Sequence, residues 1–289
     1  MTKAERQSLA TVPLVVLLGA GLAAAGSQGG ATVSGLAVFA VAVAAAFVIQ
    51  WIVFVPSYLA RTERFFDLTG SATYIVVTLG VLAFSGSWDA RRVLLAVLVL
   101  VWAVRLGSFL FRRVSRSGAD DRFDEIKGSF PRFFAVWTIQ GLWVSVTAAA
   151  AWIAMSASRQ VGIDAFALLG LVLWAAGFAI EVVADRQKSR FRADPAHRGS
   201  FISTGLWSRS RHPNYFGEIL LWTGVAVIAL PVFQGWQWVG MLSPVFVAAL
   251  ITRVSGIPLL EKKADAKWGG QPDYEEYKRT TPALVPRLR

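Results

Sequence analysis

Residues 33–55 read VSGLAVFAVAVAAAFVIQWIVFV, a run without one charged side chain. A helix rises about 1.5 Å per residue, so a run of this length crosses the roughly 30 Å hydrocarbon core of a bilayer. Seven further apolar runs accompany it: Thr11–Gly26, Ser71–Phe84, Val93–Phe111, Phe133–Ala154, Ala165–Val183, Tyr215–Leu230 and Val239–Ile257. The run at Ser71 lengthens if Phe65, Phe66 and Leu68 are counted into it. The predicted fold class is an all-α, polytopic membrane helix bundle of about eight spans. Lys3, Arg6 and the small residues Ala23, Ala24 and Ala25 also have the form of a secretory leader, whose cleavage would leave seven spans.

Composition supports this reading. Of 289 residues, 55% are hydrophobic and 16% charged, against about a quarter charged in soluble domains. There is no cysteine, which excludes disulfides, thiolate metal sites and cysteine nucleophiles. His197 and His212 are the only histidines, so a multi-histidine metal centre is not expected. The net charge of +11 is read as the mark of cytoplasmic loops rather than of a nucleic-acid partner. Counted alternately from an inside N-terminus, 25 Lys and Arg fall inside and 3 outside, with Arg105 within a span. The expected location is the inner (plasma) membrane, with several passes and both termini cytoplasmic.

The basic residues concentrate in Arg112–Arg132, Ala184–Asn214 and Arg253–Arg289. Residues 1–111 are read as helices on the substrate side, and 112–289 as a nucleotide-binding region. The string Gly19-Ala-Gly21-Leu-Ala-Ala nominally fits a dinucleotide-binding fingerprint, but no acidic residue follows at the required distance. Small residues letting spanning helices approach closely explain it instead.

The most informative stretch is Gly205–Glu218, GLWSRSRHPNYFGE. Pro213 suits the first turn of a helix, whose free N–H groups attract anions. Arg209, Arg211 and His212 precede that turn; Asn214 and Glu218 share one face of the helix it opens. Gly217 lets something approach that face closely. One reading is a phosphate and polar-ligand site, and the other is a basic loop with Glu218 paired to arginine. Glu181 and Asp185, before Arg186, Lys188, Arg190 and Arg192, form a second constellation, either functional or an interfacial ion-pair network. Arg253 lies inside the last span, ahead of an amphipathic tail with Trp268, Tyr274 and Tyr277. In the N-terminal half, Glu63, Asp67 and Tyr74 share a face if their helix starts near Arg61. A carboxyl beside a phenol in an apolar chamber can donate to a ligand carbonyl. The other reading makes Glu63 and Asp67 loop charges facing Arg61 and Arg64.

RHPNYFGE with the preceding GLW, the upstream EVVADRQKSRF and DPAHRG, and the downstream RVSGIPLLEKK resemble the bacterial membrane proteins of the steroid 5α-reductase-like superfamily. The resemblance runs from about Arg105 to the C-terminus. It implies an NADPH site at the cytoplasmic face and a hydrophobic, lipid-like substrate entering from the bilayer. It also implies reduction of a C=C bond conjugated to a carbonyl. By this resemblance Asp185, Arg192, Asn214, Gly217, Glu218 and Arg253 hold the nucleotide, with Arg211, His212 and Tyr215 belonging to the same motif. Steroid reductases polarise the carbonyl with a Tyr and a Glu. Trp102 stands where that Tyr is expected, and Glu63 is the counterpart of the Glu by a local match. Glu63 and Tyr74 are therefore the candidate catalytic donors. The R-H-P-x-Y-x-G signature is shared with isoprenylcysteine carboxyl methyltransferases. An S-adenosylmethionine-dependent methyltransferase is thus the alternative, and a non-catalytic membrane protein a third reading.

Overall fold

A computed structural model describes residues 1–117 and 123–287, so part of the basic loop Arg112–Arg132 lies outside the described residues. The fold is nearly all helical, with eight helices long and apolar enough to cross a membrane. In chain order the helices are α1 Lys3–Gly26, α2 Val38–Leu59, α3 Phe66–Phe84, α4 Ala90–Ser117, α5 Phe130–Ser156, α6 Ala165–Ala193, α7 Pro213–Ala229, α8 Leu242–Ala249, α9 Ile257–Trp268 and α10 Pro272–Thr280. A two-stranded hairpin, Thr32–Val33 with Leu36–Ala37, leads into α2. The chain forms two compact units, Met1–Ala167 with Ile228–Ser243, and Leu168–Val227 with Pro244–Arg289. This compactness boundary differs from the division by role at residue 111.

The first unit is built on α1–α5. Thr2 and Glu5 cap α1 reciprocally, the Thr2 hydroxyl accepting from the Glu5 N–H at 3.2 Å and the Glu5 carboxylate from the Thr2 N–H at 2.8 Å. The cap extends the first span back to Lys3. Gly19 lies inside α1, where a Cβ would come within 2.7 Å of the Phe47 ring. Gly19 thus serves helix packing, whereas a Cβ on Gly21 would meet nothing within 4 Å. α5 is buried all round from Ala148 to Met155.

Two arginines that look like loop charges in sequence are both buried. Arg91 donates to the backbone carbonyls of Val161 (3.0 Å), Gly162 (2.7 Å) and Ile228, and pairs with Asp164 at 2.7 Å. Arg92 donates to the carbonyls of Ser85 (2.9 Å) and Ala157 (2.5 Å) and pairs with Asp89 at 3.1 Å. The planar guanidinium fork, with five donors, lets one side chain tie several loop carbonyls. Gln28 adds a second tie: its side-chain carbonyl accepts from the Trp236 N–H and its backbone carbonyl from the Gln237 amide, each at 2.7 Å.

In the second unit α6 and α7 run antiparallel with their backbones almost touching. A Cβ on Gly217 would lie 2.5 Å from the Gly177 carbonyl oxygen, and one on Gly224 would lie 2.5 Å from that of Gly170. Small residues seven apart on both helices make this seam, as at many interfaces between spanning helices. The last span is not the single helix expected over Val239–Ile257. It consists of a 3-10 segment Gly235–Met241, then α8, then a π turn Leu250–Val254. Gly235 at φ +52 opens it, and Gly256 separates it from α9, whose first turn carries Pro258.

Candidate functional site

The segment Gly205–Ser210 reaches α7 through a tight path. Gly205 sits at φ +63, where the Gln187 amide leaves no room for a side chain, and the Gln187 carbonyl accepts from the Leu206 N–H at 3.0 Å. The Trp207 indole donates to the Ala184 carbonyl at 3.1 Å, pinning the segment to α6. α7 then opens at Pro213, the helix start expected from its missing N–H.

His212 is 5% exposed, and its Nε2 lies 2.7 Å from the Glu261 carboxylate on α9. A carboxylate accepts, so Nε2 carries the proton and Nδ1 is left as an acceptor. That nitrogen is buried and has no hydrogen-bond partner among the described residues. Arg211 Nε lies 3.2 Å from the same carboxylate, within ion-pair reach but off the hydrogen-bond line. Its Nη1 donates to the Lys278 carbonyl at 2.6 Å. Burial pushes the His212 imidazole below its ordinary range, and the Glu261 hydrogen bond only partly offsets this. The Tyr215 ring stacks beside the imidazole.

These residues border a cavity of about 310 Å³ formed by the end of α6, the loop 200–212, α9 and α10. Its cations are Lys188, Arg192, Arg211, Lys263 and Lys267, against the one carboxylate of Glu261. Its aromatic wall is Phe201 packed on Trp268, Tyr274 and Tyr277, with ring centroids 5.3–5.9 Å apart. Tyr277 donates to the Trp207 carbonyl at 2.6 Å, and Tyr274 to Asp265 at 2.8 Å. Burial is the main cause that holds both phenols well above the usual tyrosine range, so they stay protonated. A second, more open hollow of about 320 Å³ shares Phe191 and Ile202 with the first and adds Arg190 and His197.

Of the residues singled out in sequence, Arg192, Arg211 and His212 line the cavity. Asp185 and Asn214 meet each other, the Asn214 amide donating to Asp185 at 3.3 Å, and Glu181 is buried one turn away. At Gly217 the close approach is made by the backbone of α6 at Gly177 and Glu181. Glu218 is half-buried on α7, and Arg253 is exposed in the π turn, outside the cavity lining. π turns in helices are frequent at functional sites. Phe201 is a functional-site residue that the sequence reading does not single out, and Trp268, Tyr274 and Tyr277 of the amphipathic tail join it in the wall. The signal was the spacing Glu261, Ala264, Trp268, which puts one face of α9 on the cavity.

In the first unit, α3 starts at Phe66 rather than near Arg61, because Arg61 adopts φ +49 and breaks the helical path. Glu63 therefore precedes the helix and does not share a face with Tyr74. It is buried, and Lys127 approaches its carboxylate at 3.3 Å. Neither Arg61 nor Arg64 forms a salt bridge with it among the described residues. Tyr74 lies eight residues into α3, about 12 Å along its axis from Phe66. It is 4% exposed and meets Trp102 edge to face, with centroids 5.1 Å apart. The residue at the expected Tyr position thus has a tyrosine packed against it from the neighbouring helix.

Comparison with known proteins fits this architecture. A family model described as "Protein of unknown function (DUF1295)" matches residues 53–281. An uncharacterized protein of Schizosaccharomyces pombe is 27% identical over 228 residues, covering 68% of this chain and 64% of its own. The steroid 5-alpha-reductase DET2 of Arabidopsis thaliana is 28% identical over 122 residues, covering 41% of this chain and 40% of its own. The matches thus span less than two thirds of either relative. No solved structure matches the chain. With its model covering most of the residues that carry both units, the chain belongs to the DUF1295 family.

Proposed function

We propose that this multi-pass membrane protein is an NADPH-dependent reductase. Its substrate would be a hydrophobic, steroid- or isoprenoid-like molecule that enters from the bilayer and carries a C=C bond conjugated to a carbonyl. The observation that carries the reading is the cavity of the second unit, with five cations, one carboxylate and an aromatic wall beside the motif RHPNYFGE. The residues suit a phosphorylated nucleoside. Arginine and lysine hold phosphate, the aromatic wall offers faces for a base, and the bare His212 Nδ1 accepts from a ribose hydroxyl. A cavity of about 310 Å³ is at the small end for ligand sites, so it suits one half of a dinucleotide, and the neighbouring hollow suits the other.

NADPH, when bound, supplies the hydride. The chain's part is to hold it and to steady the oxygen on which charge develops. Arg192 and the lysines neutralise phosphate; the Asp185–Asn214 pair offers an amide edge for a carboxamide. In the first unit Tyr74 lies in an apolar setting, and its phenol O–H can donate to a carbonyl oxygen. Glu63 is the second candidate donor, but its carboxylate already serves Lys127. The charge asymmetry of 25 against 3 supports both termini on the cytoplasmic side of the inner (plasma) membrane. Similarity to a steroid reductase supports the reaction class.

S-adenosylmethionine-dependent methyl transfer is the second reading, favoured by a cavity sized for one nucleoside. The excess of cations opposes it, because that cofactor carries positive charge of its own. The test is equilibrium binding of NADPH and of S-adenosylmethionine to the purified protein, with Arg192→Ala and Arg253→Ala alongside. NADPH binding that weakens about tenfold or more in Arg192→Ala supports the reading; a lost charge-assisted bond of roughly 1.5–3 kcal/mol has that effect. Binding of S-adenosylmethionine with none of NADPH overturns it.

A further inference from the structure

The first unit contains polar groups that the proposed reaction does not use. Gln50 on α2 is 0% exposed, and its amide donates to the Thr73 hydroxyl on α3 at 2.8 Å. That hydroxyl donates in turn to the Thr69 carbonyl at 2.7 Å. Thr73 must therefore accept from Gln50, which fixes the amide with its nitrogen toward Thr73. The Gln50 side-chain carbonyl is left buried, with no partner among the described residues. Gln140 on α5 has the same logic. Its amide donates to the Phe66 carbonyl at 3.0 Å, so its own carbonyl points elsewhere, also buried and without a partner among the described residues. One turn earlier, the fully buried Trp137 has its indole N–H in the same condition.

α3 brings the three groups together. Trp137 packs on Phe66, Gln140 presses on Gly70, and Gln50 meets Thr73. Gly70 and Thr73 are one turn apart, about 4.5 Å of rise. Two acceptors and one donor from two helices thus lie along two turns of a third, from Phe66 to Thr73, about 10 Å of rise. In a bilayer-spanning bundle, where no bulk water reaches, each would be costly alone. An O–H group answers such atoms: it accepts from an indole and donates to an amide carbonyl, and a short chain of waters reaches groups that a single hydroxyl does not.

We propose that the α2–α3–α5 core is a binding site for a hydroxyl, supplied by a water or by the alcohol end of a lipid-like molecule. The second source rests on the reductase reading and makes the substrate class a hydroxylated lipid rather than a pure hydrocarbon. The first source is independent of it.

The protein in lipid nanodiscs, without nucleotide, is read by ultraviolet resonance Raman at the indole N–H marker, as wild type minus Trp137→Phe. The expected signal is a hydrogen-bonded indole that becomes free in the double variant Gln50→Leu, Gln140→Leu. Titration with 1-dodecanol and with dodecyl methyl ether separates the sources. A saturable shift with the alcohol but not the ether, weakened about tenfold by Gln50→Leu alone, supports a lipid hydroxyl. A hydrogen-bonded signal indifferent to both probes supports water. A free indole in the wild type, unchanged in the double variant, overturns the site. If the double variant does not fold, the wild-type difference signal decides alone. Neither readout uses NADPH, so failure here leaves the nucleotide reading standing, and the reverse also holds.

Discussion

Replacing Gly217 by alanine tests both the helix seam and the reading of the motif. The new Cβ would lie 2.5 Å from the Gly177 carbonyl oxygen and 2.8 Å from the Glu181 nitrogen, both backbone atoms that cannot swing away. Reaching ordinary contact at 3.4 Å requires α6 and α7 to part by about 0.9 Å. Overpacking of this kind destabilises by about 1–3 kcal/mol, and alanine's helix preference over glycine returns about 1. The Asn214–Asp185 hydrogen bond spans the same seam and is already 3.3 Å long, so the parting breaks it. A bond to a charged group adds about 1.5–3 kcal/mol. The expected net loss is about 1.5–5 kcal/mol, together with weaker nucleotide binding. The assay is the apparent melting temperature in detergent at one scan rate, since unfolding of such proteins is often irreversible. Gly80→Ala in α3 is the control, because a Cβ there meets nothing within 4 Å. If Gly217→Ala melts with Gly80→Ala and binds nucleotide unchanged, the close approach and its link to the site are both wrong.

Three further outcomes follow. His212 has a lowered folded-state pKa, mainly through burial, so the stability tied to its neutral form is present above the usual histidine range. That stability is lost as pH falls through the lowered value; melting scans from pH 8 to 5 should show it, and His212→Asn should remove that part of the slope. Arg92→Met leaves Asp89 without its ion-pair partner and two buried carbonyls without their donor. The expected loss is about 3–5 kcal/mol, and a melting curve within a degree of wild type would contradict the knot. Tyr74→Phe should lower turnover by about 10²–10⁴ and leave NADPH affinity unchanged, whereas Glu63→Gln should act more on stability through Lys127. Equal turnover losses in the two variants would show that the donor is misassigned.

The eight spans were legible because charge-free runs of bilayer length have few other uses. The motif around Pro213 was legible because proline, arginines and an Asn–Glu face mark a helix start. What sequence could not give was the third dimension of the glycines. Gly217 reads equally as room for a ligand or for a helix, and only its partner Gly177 decides. The shared face of Glu63 and Tyr74 failed for a local reason, since nothing in the string announces a left-handed Arg61. The aromatic wall was hidden because Trp and Tyr near a basic tail have a simpler use at a membrane interface. Arg91 and Arg92 were hidden because a loop arginine is normally solvated, and only their acceptor carbonyls, far apart in sequence, show otherwise.

The first unit is discontinuous, and this has a consequence for biogenesis. Its helices α1–α5 end by Ser156, yet Arg91 also needs the Ile228 carbonyl, Gln28 needs Trp236 and Gln237, and Thr147 receives the Ser243 hydroxyl's hydrogen bond. Synthesis must run on through α6 and α7 before those partners exist. During that interval one arginine, one glutamine and the Thr147 carbonyl of the early helices wait with unfilled donors and acceptors. An insertion intermediate stalled before residue 228 should therefore be the species that chaperones or membrane proteases recognise. A truncation there should be degraded even though all five long helices of the first unit, and α6 after them, are already made.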